Sequence, residues 1–250
     1  AIELAQQFSV GVVGAIRSNH FGAAGLYARM ATDQGLIGIV MTSVMPNIVA
    51  PGGSRPITGN NPIAIGIPTF GDFPFLLDIS LSNAAGGKLL LASKKGEKIP
   101  LDWATDRDGR PTDDPDAAFA GFLLPLGGHK GLGLSYVVDI LSGLITGGAI
   151  QHELKSMYKY PDDPSLTCHF MIVINPLILM SQEEMKTRMA AFHKTIKASP
   201  MWDNTQEMML PGEIEHRTEQ TRLKTGIPIP AALQEELIAL GKEHGIVYPG

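Results

Sequence analysis

The chain has 250 residues, of which 44% are hydrophobic and 18% charged, a composition typical of a folded globular protein and not of a disordered or membrane-spanning one. Its net charge of -5 argues against a nucleic-acid partner, because such proteins present basic surfaces. The single cysteine, Cys168, excludes an internal disulfide and a multi-cysteine zinc site, and it favours a reducing compartment such as the cytoplasm.

The first forty residues predict a short helix, a strand, a loop, a longer helix and a second strand. Residues 11–15 form an apolar run typical of a buried strand, and residues 17–22 follow as a loop. Residues 23–33 are rich in Ala, Leu and Met, and Gly35 is placed to end a helix there. Residues 36–42 form the next apolar strand. This order favours an α/β layered domain.

The middle of the chain alternates loops with strands. Residues 46–62 are dense in Pro, Gly and Asn and predict a functional loop. Two apolar runs at 62–68 and 73–79 predict a β-hairpin, and the acidic stretch 103–117 predicts a surface excursion. Further apolar patterns predict helices at 131–147, 181–198 and 231–244 and a strand at 169–175.

The segment Ser18-Asn19-His20 lies in the predicted loop between the first strand and the long helix. Loops at the end of a buried strand often carry reactive groups in α/β proteins. An imidazole suits general acid-base chemistry at a carbonyl or carbinol. His20 is therefore a candidate proton-transfer residue, while the alternative is a surface histidine with Ser18 as a helix cap.

A glycine-rich run, PLGGHKGLG, occupies residues 125–133 and leads directly into a long predicted helix. Glycines let a backbone approach a ligand closely, and a helix N-terminus beside the Lys130 cation favours an anion such as a pyrophosphate. The run lacks the spacing of a Walker A loop. The alternative interpretation is a glycine-rich turn with a solvated lysine.

An acid and two hydroxyls end a predicted strand within residues 78–84, DISLSNA. Asp78 is placed to bond a ribose and Ser80 a phosphate, while the alternative is a helix-cap cluster. The GxGxxG fingerprint with a distal acid is missing, so a Rossmann site is not expected. The histidines show no HxxxH or HxH spacing, so we expect no metal centre.

Eight short blocks follow one another in a specific order along almost the whole chain. They are RSNHFG at 17–22, APGG at 50–53, GNNP at 59–62, DIS at 78–80, IPLDW at 99–103, DGRPT at 108–112, PLGGHKGLG at 125–133 and LPGE at 210–213. In this order the chain resembles the malate/L-lactate (L-sulfolactate) dehydrogenase family, which includes ureidoglycolate dehydrogenase, diketogulonate reductase and piperideine-2-carboxylate reductase.

The resemblance implies an α/β fold with a mixed sheet covered by helices, a non-Rossmann nicotinamide site and a homodimer. It implies that His20 moves a proton beside a small 2-hydroxy or 2-oxo acid while NAD or NADP moves the hydride. Neither a membrane nor a metal is expected to take part. The cofactor contacts that the resemblance implies are Ser43, Asp78, Ile79, Ser80, Lys130, Gly212, Glu213 and Ile214.

The sequence departs from the family pattern in three places. The usual GTNP is GNNP at 59–62 and the usual DMA is DIS at 78–80, which are mild changes. The family's N-terminal helical segment, with its Ser-His-Gly motif and substrate-facing arginine, has no match here. We expect a nicotinamide-binding and catalytic domain at 1–215 and a C-terminal helical segment at 216–250.

Arg55, in the loop rich in proline and glycine, is a candidate partner for the substrate carboxylate.

Two functions follow from these observations. The first is an oxidoreductase that transfers a hydride between NAD(P) and a small 2-hydroxy or 2-oxo acid such as malate or lactate. The second is a non-catalytic nucleotide-binding or assembly subunit, which the missing N-terminal match leaves open. A metal-dependent hydrolase would need clustered carboxylates and histidines, which the sequence does not offer.

Overall fold

The computed structural model describes residues 1–248, which divide into two units, Ala1–Gly212 and the residues from Glu213 onward. The helices of the first unit are α1 (Ile2–Phe8), α2 (Ala24–Thr32), α3 (Gly86–Lys95), α4 (Pro115–Ala120), α5 (His129–Asp139) and α6 (Gln182–Lys197). Its strands are β1 (Val10–Ser18), β2 (Ile37–Thr42), β3 (Ile48–Val49), β4 (Pro56–Thr58), β5 (Ile63–Ile67), β6 (Phe75–Ile79), β7 (Ala104–Thr105), β8 (Phe122–Leu123) and β9 (Thr167–Ile174).

The strands of the described residues form two sheets. The larger sheet has the order β1-β9-β2-β5-β6, and every pairing in it is antiparallel. The smaller sheet has the order β4-β3-β8-β7 and contains one parallel pairing, between β3 and β8. The predicted α/β class is confirmed, with the parallel pairing confined to the smaller sheet.

Helix α2 lies close against the larger sheet because the residues between them are small. Ala24, Ala28 and Ala31 are buried on its inner face. A side chain on Gly38 of β2 or on Gly66 of β5 would collide with the backbone of Ala28. This close packing fixes the N-terminus of α2 near the end of β6 and near the loop that follows β1.

Helix α5 contacts β4 of the smaller sheet and β2 of the larger sheet. It begins two residues before the predicted helix at 131–147 and continues as a π-helical turn, Ile140–Leu144. Its Val138 packs with Leu81, Met41 and Phe170 in a buried apolar cluster. The predicted long apolar helix is therefore confirmed, with a change of helical type near its end.

Several predicted loops contain regular structure. The segment 46–62 contains β3 and β4, the segment 103–117 contains β7 and the start of α4, and Arg17 and Ser18 belong to the end of β1. The predictions were wrong there because β3 and β7 have two residues each, too few for a periodic pattern. Ile48 and Thr105 are nevertheless fully buried, since pairing with distant strands places them in the core.

The second unit consists of two helices, α7 (Glu213–Thr225) and α8 (Ala231–Glu243). Helix α8 confirms the predicted helix at 231–244 to within one residue. In α7, Arg217 Nη2 donates to Glu213 Oε1 over 2.6 Å, one helical turn apart. Across residues 1–248, no helix combines the length and the apolar character needed to cross a membrane.

Candidate active site

A cavity of about 310 Å³ opens beside the end of β1. Its volume lies at the lower end of the range for small-molecule sites, about 300–1,000 Å³. His20 and Ser43 both line it, so two of the residues singled out from the sequence lie together. Further lining residues that matter below are Phe21, Thr42, Val44, Asn60 and Lys155.

His20 lies in the loop that follows an irregular end of β1. The pairing of β1 with β9 shifts register between Ala15 and Ser18, and Arg17 there has a left-handed φ of 59°. Such bulges redirect a strand and often lie next to active sites. The backbone N–H of Gly22 donates to His20 Nδ1 over 3.2 Å, so the neutral ring in this conformation carries its proton on Nε2.

Behind His20, three aromatic rings form a stack. Phe21 lies parallel to His169 with ring centroids 4.3 Å apart, and Tyr27 covers its other side at 4.7 Å. Thr42 Oγ1 lies 2.8 Å from His169 Nδ1. Burial lowers the pKa of His169, an effect that the backbone of Asn19 partly offsets. This shift favours the neutral ring of His169, and Phe21, which stacks on that ring, forms part of the cavity wall.

A buried polar network lies beneath the cavity and centres on Asp139 of α5. Thr58 Oγ1 donates to Asp139 Oδ2 over 2.6 Å, and Asn61 Nδ2 donates to Asp139 Oδ1 over 2.8 Å. Ser135 Oγ donates to the carbonyl of Gly59 over 2.6 Å. Burial raises the pKa of Asp139, and the hydrogen bonds from Thr58 and Asn61 offset part of that rise.

This network reaches the cavity through the GNNP block. Asn61 Oδ1 accepts a hydrogen bond from the backbone N–H of Val44 over 2.8 Å. Its neighbour Asn60 lines the cavity and accepts from the backbone N–H of Leu81 through its carbonyl. Asp139 is buried and does not line the cavity, yet its hydrogen bonds help to fix two segments of the cavity wall.

The residues of the DIS block lie at and beyond the end of β6. Asp78 Oδ2 accepts from the backbone N–H of Gly25 over 2.8 Å, in the first turn of α2. The Ser80 and Ser82 hydroxyls are 3.2 Å apart, and the Ile79 side chain packs against the apolar cluster. Asp78 thus has the helix-capping contact that the sequence left open, while its exposed position also leaves a carboxylate oxygen accessible.

The glycine-rich run lies next to the DIS block. Leu126 N–H donates to the carbonyl of Leu81 over 2.9 Å, and Gly127 N–H donates to Asn83 Oδ1 over 3.3 Å. Lys130 is exposed in the first turn of α5. Within residues 1–248, no protein acceptor is bonded to the backbone N–H of Lys130, as is usual at a helix N-terminus. This donor set suits an anionic group such as a cofactor phosphate.

Other residues named from the sequence are placed differently. The Ser43 hydroxyl is buried and bonds the backbone of Cys168, donating to its carbonyl over 3.2 Å and accepting from its N–H over 3.1 Å. Gly212 has a φ of 88° and ends the first unit, whereas Glu213 and Ile214 begin the second. Arg55 does not line the cavity. Among the lysines and arginines of residues 1–248, the one that lines it is Lys155.

Comparison with known proteins gives a consistent result. The family model described as malate/L-lactate dehydrogenase matches residues 1–238. The chain is 41% identical to the malate dehydrogenase of Pyrococcus horikoshii, over 98% of this chain and 69% of that protein. The chain belongs to the malate/L-lactate dehydrogenase family.

Solved structures and further relatives agree with membership of this family. The sulfolactate dehydrogenase of Methanocaldococcus jannaschii superimposes with a TM-score of 0.89 at 37% identity, covering 99% of this chain and 70% of that one. A (2R)-3-sulfolactate dehydrogenase (NADP(+)) of Chromohalobacter salexigens is 34% identical over 96% of this chain and 69% of its own length. The expectation of an NAD(P)-dependent oxidoreductase for small hydroxy acids is confirmed at the level of the family.

Two residues of this site were not found from the sequence. Asp139 occurs within an apolar helical pattern, and His169 opens an apolar strand. Each gains its role from partners far along the chain, since Asn61 precedes Asp139 by 78 residues and Thr42 precedes His169 by 127. A polar residue inside an apolar pattern was the available signal, because burial requires such a group to find a partner.

Proposed function

We propose that this chain transfers a hydride between NAD or NADP and a 2-hydroxy or 2-oxo acid, with His20 as its proton-transfer residue. The observation that carries the proposal is the position of His20 in a small cavity that Asn60 also lines. The carbonyl of Asn60 accepts a hydrogen bond from the backbone N–H of Leu81, which follows the DIS block. The carbonyl of Leu81 accepts in turn from the N–H of Leu126 in the glycine-rich run. These contacts support a substrate site next to a cofactor site.

His20 supplies the proton step of this reaction. The nicotinamide, when bound, donates or accepts the hydride at the substrate carbon. In reduction, a charged His20 ring donates a proton to the alkoxide-like oxygen, and in oxidation the neutral ring accepts it. A charged ring has no lone pair for the N–H of Gly22, so that hydrogen bond opens when His20 is protonated.

The cofactor contacts are proposed from charge and exposed donors. Lys130 and the first turn of α5 would hold a phosphate, because a cation and a helix N-terminus both favour an anion. The accessible oxygen of Asp78 would accept from a ribose hydroxyl. Ile79, Ser43 and Gly212 would contribute through backbone atoms, since the side chains of Ile79 and Ser43 are already engaged and glycine has none.

Substitution of Lys130 tests the cofactor site. Lys130→Ala is expected to weaken NAD(P)H binding by about 1.5–3 kcal/mol, the usual contribution of a charged hydrogen bond. Nicotinamide fluorescence titration measures the affinity. Lys186→Ala on α6 is the matched control, since it removes an exposed lysine of another helix and should change nothing. Unchanged affinity in the Lys130 variant would contradict the assignment.

A homodimer is proposed from the exposed apolar residues of α5 and of the π-helical turn that continues it. Val137, Ile140 and Leu144 recur at a spacing of three or four residues and are each about half exposed or more. The edge strand β1 exposes Val10 and Val12 as well. An apolar surface of this kind is typical of a subunit interface.

Sedimentation tests the dimer directly. The chain is expected to sediment as a dimer or larger at micromolar concentration, and Leu144→Asp is expected to release monomers because a charge at the interface must be desolvated. Leu179→Asp changes a more exposed leucine in the turn after β9 and should leave the assembly intact. A monomeric unsubstituted chain would contradict the proposal.

A substrate screen tests the reaction itself. Oxidation of malate, lactate, sulfolactate and ureidoglycolate is followed with NAD and with NADP as acceptor. We expect turnover of at least one of these acids. Nicotinamide binding without turnover of any of them would instead favour a non-catalytic nucleotide-binding subunit.

A further inference from the structure

The cavity has a cationic side chain whose role the proposed reaction does not explain. Lys155 lines the cavity, and its backbone is tied to the loop that carries His20. Lys155 N–H donates to the carbonyl of Ser165 over 3.1 Å, and Ser165 N–H donates to Asn19 Oδ1 over 3.2 Å. Two hydrogen bonds therefore fix Lys155 relative to the residue that precedes His20.

The ammonium of Lys155 is oriented by one ion pair, which does not use all of its hydrogen-bond donors. Its Nζ lies 2.7 Å from Asp163 Oδ2, and both side chains are 44% exposed. Ion pairs this exposed contribute little stability, because water screens them. An ammonium has three donors, of which this pair uses one. Lys155 thus keeps donors for an anion in the cavity, whose wall does not include Asp163.

The kind of anion follows from the chemistry of the side chain and its position. A lysine presents a compact charge on a flexible stem, which binds anionic groups of different shape but does not fix their orientation. Such a group suits a second anion of the substrate better than the carboxylate next to the reacting carbon, whose geometry must be held closely for hydride transfer. The side chain of Lys155 is partly exposed, so an anionic group can reach it without the full cost of burying two charges.

We propose that Lys155 is a specificity-determining residue that selects 2-hydroxy and 2-oxo acids with a second anionic group over acids with one. This inference rests on the proposed oxidoreductase function and deepens it by naming the substrate class. The relatives named malate and sulfolactate dehydrogenase act, by their names, on acids of this dianionic type. Lactate has a methyl group at that position and offers Lys155 no partner.

Ligand affinities test Lys155 without depending on turnover. Oxaloacetate has two carboxylates and pyruvate has one. Each is titrated calorimetrically into the chain in the presence of NAD or NADP, because an oxidised cofactor has no hydride to give to a 2-oxo acid and the complex does not turn over. Lys155→Met is expected to weaken oxaloacetate binding by about 10- to 100-fold, the range for loss of one charge-assisted hydrogen bond, and to change pyruvate binding by less than about twofold. Thermal unfolding of the variant confirms that it is folded.

Three further variants separate charge from structure. Lys159→Met removes the same charge four residues along, outside the cavity wall, and should leave both affinities unchanged. Lys155→Arg keeps the cation and should keep the preference for oxaloacetate. Asp163→Asn removes the competing carboxylate and should strengthen oxaloacetate binding.

Equal weakening for both acids would overturn the inference, because Lys155 would then bind the shared carboxylate or support the loop. Unchanged oxaloacetate affinity in Lys155→Met would overturn it too, as would an unsubstituted chain that binds neither acid. Failure of the proposed function is a separate result. In that case the unsubstituted chain transfers no hydride, while the affinity ratio still reports on Lys155.

Discussion

Replacement of His20 by glutamine is expected to lower kcat by a factor of about 100 to 10,000, the usual contribution of a positioned general acid or base. Hydride arrival at a carbonyl carbon leaves an alkoxide-like oxygen, which must be protonated as it forms. Glutamine keeps some hydrogen-bonding ability but cannot exchange a proton. Cofactor affinity should stay nearly the same, because the proposed phosphate and ribose contacts lie on other segments.

The pH dependence gives this prediction a second measurement. With His20 present, oxidation should accelerate as the imidazole loses its proton and can accept another, and that limb of the profile should vanish in His20→Gln. His152→Gln is the control, since it changes an exposed histidine that does not line the cavity. Near-normal kcat with the same pH profile in His20→Gln would make His20 structural.

The long elements of this fold could be predicted because their patterns are local. The alanine-rich run of α2, its stop at Gly35 and the alternating isoleucines of β5 each point to one type of structure. Gly35 has the left-handed φ of 72° that a helix-ending glycine adopts. Sequence pattern also found α5 and α8, whose apolar residues recur over many turns.

The short elements could not be predicted because nothing local specifies them. Val49 of β3 pairs with Pro56 across a loop, and Ile48 pairs with Leu123, 75 residues away. A pattern of two residues has no period, so only the tertiary fold defines such strands. Helix α3 was missed for a related reason, since it begins with two glycines, which disfavour helix.

The candidate site was predictable in its residues more than in its contacts. The imidazole of His20 and the ammonium of Lys130 have few common functional roles, and the loops that contain them could be predicted from the sequence. The contacts that fix the cavity involve amides and hydroxyls such as those of Asn61 and Thr58, which are common everywhere. These amides and hydroxyls matter here because they are buried around the carboxylate of Asp139. Which residues are buried together is decided by the tertiary fold and not by the local sequence.

Removal of that carboxylate should have the largest effect on stability. Asp139→Ala is expected to lower the free energy of unfolding by roughly 2–4 kcal/mol, because the buried donors of Thr58 and Asn61 lose their acceptor at about 1–3 kcal/mol each while the cost of burying a charge disappears. Chemical denaturation measures the change. Ser142→Ala is the matched control, since Ser142 is buried three residues along and its hydroxyl has no partner in the described structure.

The cost of Asp139→Ala should also depend on pH. Burial raises the pKa of Asp139 above its ordinary value of 3.8, so the folded state binds a proton more tightly than the unfolded state does. This contribution to stability is fully present below the ordinary pKa and is lost as pH rises through the folded pKa. The difference in unfolding free energy between the unsubstituted chain and Asp139→Ala should therefore be larger in acid than at neutral pH. A difference that grows as pH rises would mean that the network holds the charged form, and the assigned direction of the pKa shift would be wrong.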